Sequence, residues 1–178
     1  MKRNHLVKPV TASVFAALIC VATMVVNIPI PATKGYINLG DCVILLGAVI
    51  LGPVYGAAAA GLGSMLSDLL LGYTYYAPGT LVIKALTAMC AALLFRAAEH
   101  KIKTPFLPAA IAAECVMTAG YFLYESTVLG YGLAAAAAIP SNLIQAGAAV
   151  GLGSILFRLL RGVPVVKRLM AQRKPDIV

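Results

Sequence analysis

Apolar runs of membrane-spanning length, punctuated by three basic clusters, constrain this chain more than anything else in it. Of its fourteen Lys and Arg residues, Lys2, Arg3 and Lys8 precede the first run, and Arg96, Lys101 and Lys103 fall mid-chain. Arg158, Arg161, Lys167, Arg168, Arg173 and Lys174 follow the last run, and only Lys34 and Lys84 lie elsewhere. Hydrophobic residues make up 61% of the 178 and charged residues 11%, against roughly 25% charged in a soluble domain. A helical crossing takes about 20 residues, so six crossings with short loops use nearly the whole chain and leave no room for a soluble domain. The expected fold is a single all-α transmembrane domain over residues 1–178, with spans at about 9–30, 38–51, 53–72, 79–97, 106–128 and 133–160. Gly52-Pro53 divides the second span from the third, because proline breaks the helical hydrogen-bond ladder and pushes the preceding residue out of helical geometry.

Orientation follows from charge, since Lys and Arg collect in cytoplasmic loops. Six crossings put both termini and every basic cluster in the cytoplasm, whereas five would put the middle cluster and the tail outside. The expectation is a multi-pass protein of the cell membrane. The N-terminal run is read as a retained span rather than a signal peptide: it continues to about Ile30 with no clean cleavage site before Pro29. The net charge of +8 is thus explained by topology. The basic tail is expected to touch anionic lipid or a cytoplasmic partner, and no nucleic-acid partner is read from it.

Motifs for chemistry are missing. Cys20, Cys42, Cys90 and Cys115 are scattered singly through apolar runs, which reads as small buried hydrophobes rather than a metal or disulfide site. There is no GxxxxGK[ST] phosphate loop, and His5 and His100 sit at basic ends. GLGS at 61–64 is not the GxSG of an intramembrane serine protease, and no DxxDG signature occurs. Neither an enzyme nor a cofactor is expected.

Ionisable groups inside lipid-length segments usually serve a ligand or an ion, which singles out Asp41, Asp68, Lys84, Glu114 and Glu125. Asp68 and Lys84 are expected to pair across the LGYTYYAPG loop. Seven of the eight tyrosines, all but Tyr55, lie at or near the presumed outer ends: Tyr36, Tyr73, Tyr75, Tyr76, Tyr121, Tyr124 and Tyr131. That one-sidedness favours a stacking pocket, because an aromatic belt would populate both interfaces, and a belt stays the alternative. Glu114, Thr118, Tyr121 and Glu125 share one helical face, which is expected to point into the bundle. Asn142 and Gln145, i and i+3, could read the edge of a heterocycle or serve as interhelical glue. Small residues recur as GAAAAGLG at 56–63, as AxxxA at Ala12 and Ala16, and as GxxxG at Gly147 and Gly151. Each serves either packing within the bundle or docking of another membrane subunit.

The segments GYINLGD, LGPVYGAAAAGLGSMLSDLLLGY, YAPGTLVIKAL, GYFLYESTVLGYG and IPSNLIQA together resemble the substrate-binding S components of energy-coupling factor (ECF) vitamin transporters. The resemblance covers nearly the whole chain and is nearest to the hydroxymethylpyrimidine or pyridoxine branch, with riboflavin carriers more distant. It implies capture of a vitamin at the outer face. It also implies docking on a transmembrane coupling subunit driven by two cytoplasmic ATPases, with Ala12 and Ala16 as the docking motif. The pocket regions it implies contain Tyr36, Asn38, Tyr75, Lys84, Glu125, Asn142 and Gln145, and Tyr121 joins them from the polar face. A riboflavin-type carrier, a structural membrane protein and a stand-alone facilitator are the alternatives.

Overall fold

The computed structural model describes residues 6–30 and 33–172. The chain runs through α1 (Val7–Val25), β1 (Asn27–Ile30), β2 (Gly35–Asn38), α2 (Gly40–Leu51), α3 (Pro53–Leu71), α4 (Ala77–Ala98), α5 (Phe106–Leu123), α6 (Ile139–Leu160) and α7 (Pro164–Gln172). A π-helical turn, Tyr124–Val128, extends α5, and a 3-10 stretch, Gly132–Ala138, leads into α6. Among the described residues, five stretches are long and apolar enough to cross a bilayer: Val7–Val25, Pro53–Leu71, Ala77–Ala98, Phe106–Val128 and Gly132–Leu160.

Two features correct the sequence expectation. The second span is a helix of only 12 residues, about 18 Å long at 1.5 Å per residue, which is well short of a hydrocarbon core of about 30 Å. It is apolar all round because it is the central helix: every residue except Val43 is buried, and α1, α3, α4, α6 and α7 pack around it. The fold is also not purely helical. The first span stops at Val25, and residues expected to continue it form an antiparallel hairpin pairing Asn27 with Asn38, Ile28 with Ile37, Pro29 with Tyr36 and Ile30 with Gly35. Pro29 cannot continue a helix, and the isoleucines around it favour extended backbone.

Gly52-Pro53 is the sharp turn expected of it. Gly52 has φ 85°, a left-handed conformation open to glycine, and Pro53 starts α3. The glycines of α3 then let three neighbours approach. A Cβ on Gly56 would lie 2.8 Å from Ala48 of α2, one on Gly61 2.7 Å from the Leu81 carbonyl of α4, and one on Gly63 2.5 Å from the Ala16 carbonyl of α1. Ala12 is buried in the same core. The Ala12/Ala16 stripe therefore packs inside the bundle, against α3. Gly147 and Gly151 do the reverse, because a Cβ on either would meet nothing within 4 Å among the described residues.

The two ends of the bundle differ in chemistry. The hairpin, the α3–α4 turn and the π turn gather the tyrosines at one end, while Tyr55 lies in the first turn of α3 at the other. The basic residues Arg96, Lys101, Lys103, Arg158, Arg161, Lys167 and Arg168 fall at the end of α4, in the α4–α5 loop, at the end of α6 and on α7. Lys2, Arg3, Arg173 and Lys174 lie outside the described residues.

Gly63→Leu is expected to force α1 off α3 and destabilise the detergent-solubilised protein by about 1–3 kcal/mol. Gly147→Leu should leave the thermal melting temperature near that of the parent.

Candidate functional site

The deepest polar layer is an ion pair between helices. Asp41 stands in the first turn of α2, where the helix dipole favours a carboxylate, and its Oδ1 lies 2.6 Å from Lys84 Nζ at the middle of α4. The two side chains are 0% and 2% exposed. Gln145 on α6 donates from Nε2 to Asp41 Oδ2 at 2.6 Å and accepts the Asn38 backbone N–H on Oε1 at 2.7 Å. Asn38 Oδ1 then accepts the Gly40 N–H at 2.9 Å. The chain Lys84–Asp41–Gln145–Asn38 thus ties α4, α2, α6 and β2 together. The expected Asp68–Lys84 pair does not form. Asp41 sits deeper, beside Lys84, whereas Asp68 takes a hydrogen bond from Tyr36 of the hairpin.

Above this layer, Lys84 Nζ lies 5.2 Å from the centroid of the Tyr121 ring, and the Tyr121 hydroxyl shares a 3.1 Å hydrogen bond with Thr80. The Tyr76 hydroxyl is 2.8 Å from Glu125 Oε1 and 3.0 Å from the Thr33 carbonyl, so its single proton serves one acceptor at a time. Glu125 comes from the π turn, a local widening of the helix often found at functional sites. Burial and the adjacent Asp68 carboxylate push the Tyr36 phenol above its ordinary range, so it stays a donor to Asp68.

These groups enclose a cavity of about 30 Å³, lined by Ile30, Gly35, Tyr36, Asn38, Asp68, Tyr76, Thr80, Tyr121, Glu125, Asn142 and Gln145. That volume accommodates water-sized occupants. Its chemistry is acceptor-rich beside aromatic faces. Asp68 Oδ2 and Glu125 Oε2 are buried with no hydrogen bond of normal geometry among the described residues, although Thr80 lies near the first and Thr33 near the second. An unsatisfied buried carboxylate oxygen costs about 1–3 kcal/mol or more, which a donor entering the cavity would relieve.

Of the residues expected at a site, Tyr36, Asn38, Tyr121, Glu125, Asn142 and Gln145 converge on this cavity. Two do not. Tyr75 is 41% exposed, and its hydroxyl donates outside the cavity to the Lys34 carbonyl at 3.0 Å. Lys84 lies one layer below, occupied by Asp41. Thr80 was missed, Tyr76 was read only as one of the outer-end tyrosines of a stacking pocket, and the place of Asp68 on the cavity wall was not foreseen. Tyr76 just before α4, and Thr80 and Lys84 on it, are spaced i, i+4, i+8, a one-face pattern that could have flagged Thr80. Glu114 is 2% exposed, as an inward-facing residue should be, with neither carboxylate oxygen hydrogen-bonded among the described residues.

Asp41→Ala should strand a buried ammonium and cost about 3–5 kcal/mol in denaturant unfolding in detergent. The double substitution Asp41→Leu, Lys84→Met is expected to recover most of that loss, because no charge is then left unpaired.

Comparison with known proteins places the whole arrangement. The family model described as "ECF-type riboflavin transporter, S component" matches residues 3–162. A protein of Pyrococcus woesei, described as "Uncharacterized protein in gap 3'region", is 36% identical over 142 residues, covering 78% of this chain and 93% of its own. A solved structure described as "Structure and mechanism of the S component of a bacterial ECF transporter" superposes with a TM-score of 0.66 at 24% identity, covering 90% of this chain and 98% of that one. The likeness to that structure is one of fold.

Proposed function

We propose that this chain, which belongs to the ECF-type riboflavin transporter S component family, captures a small aromatic vitamin or precursor of the pyridoxine or hydroxymethylpyrimidine type. The family is one of transporter subunits rather than enzymes, and its members are membrane subunits that bind small-molecule substrates and work with other ECF components. The observation that carries the substrate class is the pair of buried carboxylate oxygens, Asp68 Oδ2 and Glu125 Oε2, left without good partners beside the rings of Tyr36, Tyr76 and Tyr121. Such a wall suits a flat heterocycle that donates through hydroxyl, amino or ring N–H groups. Asn142 and Gln145 supply amide groups for the ring edge.

A ligand of that size does not fit into about 30 Å³, since small-molecule sites run to roughly 300–1,000 Å³. The cavity must therefore open. The hairpin is the element that can move at least cost: it is held by the Tyr36–Asp68, Asn38–Gln145, Tyr76–Thr33 and Tyr75–Lys34 hydrogen bonds, of which a donor-rich ligand would replace the first two. With α2 counted as a shielded sixth traverse, the tyrosine end faces outward and both termini and the basic end face the cytoplasm of the cell membrane. Docking on a transmembrane coupling subunit driven by two cytoplasmic ATPases would then carry the ligand across. Ala12 and Ala16 could join that contact only if α1 and α3 part.

Riboflavin, which the family description names, is the second reading. It is a larger tricycle and needs a wider opening of the same cavity. A thermal-shift screen of the purified protein against pyridoxine, hydroxymethylpyrimidine and riboflavin separates the two. A single-ring ligand should raise the melting temperature, and Glu125→Gln and Asn142→Ala should each lower its affinity at least tenfold, the order of one lost hydrogen bond to a charged or buried group. Stabilisation by riboflavin alone would reverse the substrate assignment, and unchanged affinity in both variants would remove these residues from the site.

A further inference from the structure

The α5–α6 face carries a groove that neither the ligand cavity nor the helix packing uses. Its part nearer the basic end has a volume of about 270 Å³ and is lined by Lys103, Phe106, Val150, Gly151, Ser154, Arg158 and Arg161, among others. A second part, also about 270 Å³ and almost wholly apolar, continues from the shared Val150 past Gly147 towards Ile111 and Leu143. Helices α5 and α6 run antiparallel, so the residue numbers order the groove along the membrane normal. Cations stand at the basic end, then Ser154, then the glycines, then aliphatic side chains.

Each level is chemically unfinished. Lys103, Arg158 and Arg161 form no ion pair among the described residues. The described acidic residue at that end, Glu99, lies 3.6 Å from His100. One helical turn deeper, the buried Ser154 hydroxyl has no hydrogen-bond partner among the described residues. Gly147 and Gly151 leave open space where a side chain would be, so the GxxxG stripe serves as a trough and not as a helix contact. Glu114 lines the apolar part, but it faces the Asp41–Lys84 pair electrostatically and sits far from the cations.

We propose that this groove binds one anionic phospholipid, with the phosphate on Arg158, Arg161 and Lys103, an ester carbonyl on Ser154, and an acyl chain along Gly151, Val150 and Gly147. The match is one of polarity sequence as well as charge. Anion, ester and hydrocarbon occur in a phospholipid in the order in which cation, hydroxyl and apolar trough occur along α6, at about 5.4 Å per turn. A neighbouring transmembrane helix would fill the trough but leave three cations and a hydroxyl unanswered. A soluble anion would answer the cations and leave the trough exposed.

The test is native mass spectrometry of the full chain in detergent, titrated with phosphatidylglycerol or phosphatidylcholine. Phosphatidylglycerol is expected to give a single tight adduct, at least tenfold stronger than phosphatidylcholine. Arg158→Gln with Arg161→Gln should weaken it about thirtyfold, from roughly fivefold per removed charge at a membrane surface. Gly151→Leu should abolish the adduct while leaving the melting temperature unchanged. The arginine pair is exposed and outside the core, so its folded state is a secure control. Equal affinity for the two lipids, or an adduct that survives both sets of substitutions, would overturn the proposal. A dimer that Gly151→Leu dissociates would also overturn it, since a second copy would then be the occupant. Lipid binding at this end does not depend on the ligand class at the tyrosine end, so either assignment can fail alone.

Discussion

The Asp41–Lys84 ion pair is the interaction on which the rest of the structure depends. Neither charge is tolerable alone at that depth, since a single uncompensated ion in an apolar interior costs several kcal/mol. Their pairing fixes the start of α2 against the middle of α4. Gln145 then binds the carboxylate with one end of its amide and the hairpin backbone with the other, so α6 and the hairpin take their positions from the same carboxylate. Glu114 adds a further carboxyl within electrostatic reach of both charges. The floor of the cavity is therefore a structural device, in which Lys84 is already engaged by Asp41.

What stands on that floor is adjustable by comparison. Tyr36 of the hairpin bonds Asp68 near the end of α3, and Tyr76 at the start of α4 bonds Glu125 in the π turn, each through a single hydrogen bond. The cavity they close is small and rich in acceptors. At the opposite end the character inverts: exposed cations, an apolar trough and a hydroxyl in need of a partner. On the proposed reading, one end receives donors from solution and the other an anion from the bilayer. A bundle of small-residue contacts holds the two apart.

Much of this was legible in the sequence, for physical reasons. Lipid forces helices to a fixed length and excludes charge, so the long apolar runs and basic clusters mark helices and ends almost unaided. Residues brought to the cavity by long-range packing were also readable where they shared a helical face, as with Tyr121 and Glu125, or Asn142 and Gln145. The hairpin was not readable, because four-residue strands, one of them holding Pro29, carry little periodic signal and the apolar run of α1 leads straight into the first. The partner of Lys84 was misassigned because Asp68 is near in sequence while Asp41, 43 residues away, is near in space. The shortness of α2 was legible, since the expected span 38–51 already falls below the crossing minimum, but its burial by neighbouring helices was not, because a run of apolar residues reads the same whether lipid or protein surrounds it.

That shortness has a consequence of its own. A helix needs about 20 residues to cross the hydrocarbon core, and α2 has 12, so roughly eight residues, or about 12 Å of helix, are absent from the middle of the bundle. The surrounding helices keep their full length, so the shortfall falls at the end where α2 begins, at Gly40 and Asp41. The β1–β2 hairpin and the cavity of about 30 Å³ beside it take up that depth. Shortening one buried helix thus makes room for Asp41, Asp68 and Glu125 to be buried among protein groups rather than set against lipid.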